Sequence, residues 1–268
     1  MKIGIFANQT PYSLNIKKQL TQKFIEHNFI MDDFKPDIVV TVGGDGTLLA
    51  AFHHYEKQLA TIRFVGVHTG HLGFYTDWRS NELDELIKSL ESDNGQAVCY
   101  PLLDLTVNYQ NQKSAKHYLA LNESTLKRAD MAMAMDVYID DHLFEHFKGD
   151  GLCVSAPTGS TAYNKSLGGA VVYPGLDALQ LAEISSINNL VYRTLSSPLI
   201  ISSSNWVTFK PTSMNNFIFT IDQQVYCGEA ISSVTFKISA QKIRFAKYRH
   251  TPFWKRIQTA FIGDVNEN

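Results

Sequence analysis

Cysteine is scarce in this chain: Cys99, Cys153 and Cys227 are the only three among 268 residues. They are scattered and form no C-x-x-C pair. Neither a disulfide framework nor a cysteine zinc site is therefore expected, and a reducing cytoplasm is. No run approaches the roughly 18 apolar residues that a membrane helix needs. The opening MKIGIFANQT carries an apolar stretch too short for a secretory signal and reads as a strand. An excess of one charge is lacking too. A formal net charge of −2 gives no global pull toward nucleic acid or a membrane surface, so a phosphorylated ligand has to be held locally. Internal repeats and low-complexity tracts are absent. What remains is an ordinary globular balance, 44% hydrophobic and 19% charged, in a chain long enough for two modest domains or one large one.

The first ninety or so residues alternate strand and helix. Lys2 to Ala7, Ile38 to Val42 and Ile62 to Val67 read as strands. Between and after them, Ser13 to Phe29 (Ile16, Leu20 and Phe24, with Ile25 beside them), Thr47 to Tyr55 and the stretch around Leu83, Leu86, Ile87 and Leu90 read as helices. This is the pattern of a parallel sheet wrapped by helices, whose ligands sit at the carboxyl ends of the strands. A polar turn, ESDNGQ (Glu91 to Gln96), marks a boundary. Beyond it, short alternating runs such as LDLTVNY, AMDVYID and FIFTI, separated by polar turns, point to an antiparallel, β-rich domain. The expected organisation is an α/β domain over 1–95, a β-rich domain over 96–250 and a tail over 251–268. The apolar TPFWKRIQTAFIG of that tail is expected to pack back on the body or on a neighbouring subunit.

One short stretch stands out. In DIVVTVGGDGTLLAAF, Gly43, Gly44 and Gly46 surround a single acid, Asp45, at the end of a buried strand. A Walker A loop would need a lysine that is missing after these glycines, and a dinucleotide fingerprint would need glycine where Leu49 stands. A tight strand-to-helix turn would account for the glycines alone. Glycines at this place also let backbone N–H groups approach a phosphate. A carboxylate among them would repel that phosphate unless it binds the metal or takes a proton from an attacking hydroxyl, both of which serve phosphoryl transfer. A second glycine strip, GVHTGHLGFYTD (Gly66 to Asp77), comes after the third strand at what should be the same edge.

The second domain adds two motifs. LNES carries Asn122, with the donors and acceptors that an adenine edge requires, and Glu123, able to accept from ribose hydroxyls. Taken alone, Asn-Glu after a strand is more often a plain turn. APTGSTAYNKSLGGA crowds Thr158, Ser160, Thr161, Tyr163, Asn164 and Ser166 into nine residues, which suits a ligand rich in polar atoms. Upstream, FKGDG places Lys148 and Asp150 at a turn that Asp-Gly commonly makes in hairpins. His142 and His146 are four apart but lie in a hairpin-like run without HExxH, and read as exposed strand histidines. No metal-ligand set is assigned.

In chain order, GGDGTLL, GHLGF, LNE, GDGL, TGSTAY with SLGGA, and ISSINNLVYRTLSSPLI resemble the NAD kinase family of bacterial type, from the first strand to about Ile221. The resemblance implies an α/β N-terminal domain with a parallel sheet, a β-rich C-terminal domain, and transfer of the ATP γ-phosphate to the adenosine ribose 2′-hydroxyl of NAD, giving NADP and ADP. It implies that Asp45 acts as general base or orienter of the 2′-oxygen and that Gly44 and Gly46 form the phosphate loop. Asn122 would read the adenine and Glu123 would help fix the ribose. Thr161, Ala162, Tyr163 and Ser166 would line the adenosine pocket, with Phe74 and Thr158 among the binding residues. Lys148, Asp150, Ser185 and Tyr192 would contact the rest of the dinucleotide, some across a subunit interface. A divalent cation, Mg²⁺, and a cytoplasmic homotetramer or homodimer come with the family. Three departures from its pattern, His68, Ser185 and Gln223 in the turn Asp222-Gln223-Gln224, which lacks the family's glycine, bear on affinity and loop shape rather than on reaction class. The alternatives are a related kinase with another hydroxyl acceptor and a non-catalytic NAD-binding sensor.

Overall fold

The computed structural model describes residues 1–70, 73–212, 217–228 and 230–263. The chain separates into two compact units, Met1–Cys99 with the chain from Lys242 onward, and Tyr100–Gln241. The strand Ile231–Ala246 begins in the second unit and ends in the first, which is why the residues after Lys242 belong with the N-terminal part.

In the first unit, Lys2–Ala7, Ile38–Gly43 and Arg63–His68 pair in parallel, with Ile5 opposite Val40 and Val40 opposite Val65. Ile30–Met31 extends one side, while Phe245 and the short Trp78–Arg79 pair along Arg63–His68. Every residue of Ile38–Gly43 and of Arg63–His68 is buried, as expected of central parallel strands rich in β-branched residues. Helix Pro11–Glu26 starts two residues before the apolar pattern predicts. The Thr10 side chain caps it by accepting from the Ser13 N–H, and Pro11 supplies a preset first turn. Ile16, Leu20 and Phe24 from this helix, and Leu83, Leu86, Ile87 and Leu90 from helix Leu83–Glu91, share one core with Ile3, Ile5, Val40 and Val67. Truncating a buried aromatic such as Phe24 to alanine costs ~3–5 kcal/mol. Ile25 leaves the expected face: the helical turn carries it off the buried stripe, and it is 60% exposed.

Two features of this sheet shape the loops at its carboxyl edge. The register places Gly43 opposite His68, so the two glycine strips leave neighbouring strands from neighbouring ends. The second helix begins at Asp45, ahead of the expected Thr47, because the Gly44 carbonyl already accepts from Thr47 (2.9 Å) and Leu48 (3.3 Å). Asp45 is therefore the first residue of helix Asp45–His54.

The second unit is built from antiparallel pairings. One sheet runs Leu199–Ser202, Ala178–Ile184, Gly151–Ser155, Glu123–Lys127, Ile218–Ile221, Gln224–Tyr226. A second group places Met133–Ile139 between His142–Gly149 and Val207–Pro211, which pairs with the early part of Ile231–Ala246; Ala97–Tyr109 pairs with Lys116–Ala120. Their inner faces meet in one core, Leu126, Val154 and Leu181 against Met135, Val137, Phe209 and Phe236.

Two local expectations change. The hairpin at Asp150 is absent: His142–Gly149 and Gly151–Ser155 lie in different sheets, and Asp150 is the crossing point, its N–H on Ile184 O and its carbonyl accepting from Arg128 N–H, both at 3.0 Å. The run HYLALNES is two strands, since Leu121 and Asn122 separate Lys116–Ala120 from Glu123–Lys127. His142 and His146 do lie exposed in a hairpin strand, with Nδ1 of His146 2.7 Å from Asp136 Oδ1. Among the described residues no group of three or more His, Cys, Asp and Glu converges to hold a metal, and no helix is long and apolar enough to cross a membrane.

Candidate active site

Asp45 is half-buried, and its carboxylate is held by backbone. The Phe74 N–H donates to Oδ2 (2.8 Å) and the Tyr75 N–H to Oδ1 (3.0 Å). Both donors come from the second glycine strip, which the sheet register brings alongside. Gly73 is required by this approach: a Cβ there would lie 2.2 Å from Asp45 Oδ1 and 2.6 Å from its Cγ. Each carboxylate oxygen takes one N–H and keeps a lone pair, so the group is fixed in direction yet still able to accept a proton. Gly44 and Gly46 are exposed beside it, and a side chain on Gly44 would meet no atom within 4 Å. Packing does not demand glycine at Gly44, and exposed glycine backbone at a helix start can come close to an anion.

The rest of the strip is anchored around this clasp. The Thr76 hydroxyl accepts from Gly73 N–H (3.2 Å), and the Tyr75 ring stacks on Phe245 at 5.9 Å between centroids. The half-buried Phe74 ring lies 5.6 Å from that of Phe261 in the tail. His68 is buried, its Nδ1 2.9 Å from Gly70 O and its Nε2 without a hydrogen-bond partner among the described residues. His71 and Leu72 of the expected GHLGF motif lie outside the described residues.

In the second unit the expected residues fall into two groups. The first forms around Asn122 and Glu123. Ala156 N–H donates to Asn122 O (2.9 Å), the Thr158 hydroxyl donates to Leu121 O, and a Cβ on Gly159 would lie 2.0 Å from Asn122 O. The TGSTAY turn is thus pressed against LNE with no room for another atom. Of the six polar side chains in that turn, Thr158, Ser160 and Asn164 are buried and bonded inward, to Leu121 O, Pro157 O and Ser155 Oγ. Thr161, Ala162 and Tyr163 are half-buried and Ser166 is exposed; the Thr161 hydroxyl also turns inward and donates to Thr158 O (3.0 Å). Glu123 is 9% exposed, and its Oε2 is buried without a partner among the described residues. Burial first, then the charge of Asp222, pushes its carboxyl up to about 8, against a smaller pull from the Tyr163 backbone.

The second group collects Lys148, Asp150, Ser185 and Tyr192. Lys148 Nζ lies 3.4 Å from the Tyr192 hydroxyl, and Ile187 N–H donates to Lys148 O (2.7 Å). A Cβ on the intervening Gly149 would lie 2.9 Å from Ser185 O, and Asp150 is bonded through its backbone to Ile184. Four residues scattered over 148–192 thus share one patch of the unit.

Family models match both parts of the chain: the ATP-NAD kinase N-terminal domain over residues 6–94 and the ATP-NAD kinase C-terminal domain over 121–248. The chain belongs to the NAD kinase family. It is 54% identical over 263 residues to an NAD kinase of Lacticaseibacillus paracasei, covering 98% of this chain and 99% of that one. It is 49% identical to an NAD kinase of Enterococcus faecalis, over 98% of this chain and 100% of the other. Among solved structures, yeast NADH kinase complexed with NADH aligns with a TM-score of 0.84 at 20% identity, over 100% of this chain and 89% of that one. An NAD kinase from Archaeoglobus fulgidus in complex with ATP aligns with a TM-score of 0.75 at 21% identity, over 97% of each chain. These two likenesses establish the two-domain NAD kinase fold.

Sequence reasoning underrated one residue and passed over another. Asp222 read only as part of a turn that departs from the family pattern. Its carboxylate in fact accepts the N–H groups of Leu121 (3.0 Å), Asn122 (2.7 Å) and Glu123 (3.3 Å), fixing the backbone of LNE. The signal was available: an aspartate in a tight turn, here at φ 50°, commonly gathers backbone N–H groups. Arg256 sat in a tail read only for its apolar spacing, yet it is 4% exposed. No local pattern marks it.

Proposed function

We propose that this chain transfers the γ-phosphoryl group of ATP to the 2′-hydroxyl of the adenosine ribose of NAD, giving NADP and ADP. The observation that carries the reading is Asp45, a carboxylate clasped by two backbone N–H groups beside an open glycine loop, in a chain of this family. Its chemistry is proton transfer. As the 2′-oxygen attacks the γ-phosphorus, the O–H bond breaks, the proton passes to an Asp45 carboxylate oxygen, and the bond from phosphorus to the departing ADP oxygen breaks. The backbone around Gly44 and Gly46 faces the phosphates. Positioning supplies much of the rate in such reactions.

The second unit supplies recognition in this reading. Asn122 reads the adenine edge and Glu123 the ribose hydroxyls, while Thr161, Ala162, Tyr163 and Ser166 line the adenosine pocket; in the first unit, Phe74 is a further binding residue. Thr158 acts from behind, holding Leu121. Lys148, Asp150, Ser185 and Tyr192 meet the remainder of the dinucleotide. The donor is taken with a divalent cation, Mg²⁺, which neutralises phosphate charge when bound. A cytoplasmic homo-oligomer, tetramer or dimer, belongs to the same reading. Leu190 at 93% and Val191 at 80% exposure, next to Tyr192, form an apolar stretch that a second copy would cover.

The test is a coupled assay of the purified chain with NAD, ATP and Mg²⁺, in which an NADP-specific dehydrogenase reports product. NADP formation is expected. NAD binding without ATP turnover would point to a sensor, and phosphorylation of another hydroxyl compound in its place to a different acceptor class.

A further inference from the structure

The two N–H groups that hold Asp45 belong to Phe74 and Tyr75, and the carbonyls on either side of that pair belong to Gly73 and Thr76. One side chain takes both. Arg256 Nη1 donates to Gly73 O (3.3 Å) and to Thr76 O (3.1 Å). Its Nη2 donates to the Asp77 carboxylate and its Nε to Thr251 O (3.1 Å). Asp77 is tied down further by Thr251 N–H (2.9 Å) and by His250, whose Nδ1 lies 3.2 Å away. Burial works to raise the Asp77 carboxyl, but the His250 hydrogen bond, the Arg256 charge and the Thr251 N–H outweigh it and hold it below its ordinary value. This short segment therefore has two faces: the N–H groups of Phe74 and Tyr75 close on Asp45, and the carbonyls of Gly73 and Thr76 close on a guanidinium 183 positions along the chain from Gly73.

Burying a guanidinium is costly unless every donor is satisfied, and here the partners are one carboxylate and three carbonyls. A lysine keeps the charge but not the planar fork that spans two carbonyls at once. Without that fork, Phe74 and Tyr75 are free to turn their N–H groups away, and Asp45 loses its fixed direction.

We propose that Arg256 is a positioning residue for the phosphoryl transfer: it braces the 73–77 segment from the C-terminal tail and so holds Asp45 in line with the attacking hydroxyl. The proposal rests on the assignment of Asp45 as the proton acceptor. Its signature is a loss in kcat with KM preserved, because Arg256 is buried and its guanidinium is taken up by three carbonyls and the Asp77 carboxylate.

The experiment compares Arg256→Lys and Arg256→Ala with the unaltered chain for kcat, for KM toward NAD and ATP, and for thermal midpoint. It repeats Arg256→Lys in an Asp45→Asn background. Misplacement of a catalytic group by an ångström costs up to about 10²-fold. The expected result is a kcat loss of roughly 10- to 100-fold in either variant with KM within about threefold. Guanidinium ion, added well below unfolding concentrations, should recover part of the rate in Arg256→Ala. Arg256→Lys should cost almost nothing further once Asp45 is asparagine, because the two residues act as one unit. A kcat close to that of the unaltered chain would overturn the proposal. So would a loss matching the fraction unfolded, or an equal loss in both backgrounds. Should Arg256→Ala fail to fold, the two Arg256→Lys measurements decide alone. An unaltered chain that makes no NADP would overturn the underlying reading instead, and that outcome is visible before any variant is made.

Discussion

The two units hold a carboxylate in the same way and use it differently. In the first, Asp45 accepts two backbone N–H groups from a neighbouring loop and remains half-buried, with open glycine backbone beside it. In the second, Asp222 accepts three, from Leu121, Asn122 and Glu123, and the side chain of the last of these, Glu123, carries an oxygen without a partner among the described residues. Backbone donors fix Asp45, whereas Asp222 fixes backbone. On the proposed function, the same local chemistry gives a reacting group in one unit and a support in the other, and the difference lies in what surrounds the acid.

The largest effect that would break this comparison comes from filling the space against Asp45. A methyl at Gly73 would sit 2.2 Å from Oδ1 of a short, already clasped side chain. Gly73→Ala should therefore lower kcat by ~10–100-fold. A fully active Gly73→Ala variant in steady-state assays would show that Asp45 needs no fixed position. Asp222→Ala removes one acceptor from three buried or part-buried N–H groups, a loss of ~1–3 kcal/mol. That loss should fall mainly on recognition, with KM for NAD raised about tenfold and kcat within a few-fold. A kcat collapse at unchanged KM would make Asp222 the equal of Asp45 and erase the distinction.

The smallest effect is a pH dependence. Glu123 in the folded chain is raised from 4.5 to about 8, so near neutrality it holds a proton that the unfolded chain has lost. Its contribution to stability is accordingly full below 4.5 and declines as pH rises through about 8. The ionised carboxylate accepts from ribose hydroxyls more strongly than the acid does, so NAD should bind more tightly as pH climbs from 7 to 9, by up to about tenfold, with proton release on binding. Calorimetry in buffers of different ionisation enthalpy would count that proton, and Glu123→Gln should abolish the pH slope.

Much of this was legible in the sequence because the physics is local. The β-branched run ending in Gly43 and the i, i+4 spacing of Ile16, Leu20 and Phe24 dictate a buried strand and a one-faced helix, and both are present. The second glycine strip is expected at the same sheet edge as Asp45, and its Phe74 and Tyr75 N–H groups do reach that carboxylate, with Gly73 allowing the approach. What stayed hidden depends on partners distant in the chain. Asp150 looked like a hairpin turn because Asp-Gly has that local preference, whereas Ile184 and Arg128 make it a crossing between sheets. Thr158, Ser160 and Asn164 looked available because hydroxyls and amides bind ligands, yet each is bonded inward. Arg256 finds its carbonyls some 180 residues away, at Gly73 and Thr76, and no spacing rule reaches that far.

The central claim is that Asp45 takes the proton of the attacking hydroxyl, and the most direct measurement sets turnover beside affinity for Asp45→Asn. Asparagine keeps the size, and its one carbonyl oxygen can still accept from either Phe74 or Tyr75, whose N–H groups go to different oxygens of Asp45, but it is no base. NADP formation should fall by ~10²–10⁴-fold while the Kd for NAD stays within a few-fold of the unaltered chain. Undiminished NADP formation by the asparagine variant would contradict that role for Asp45.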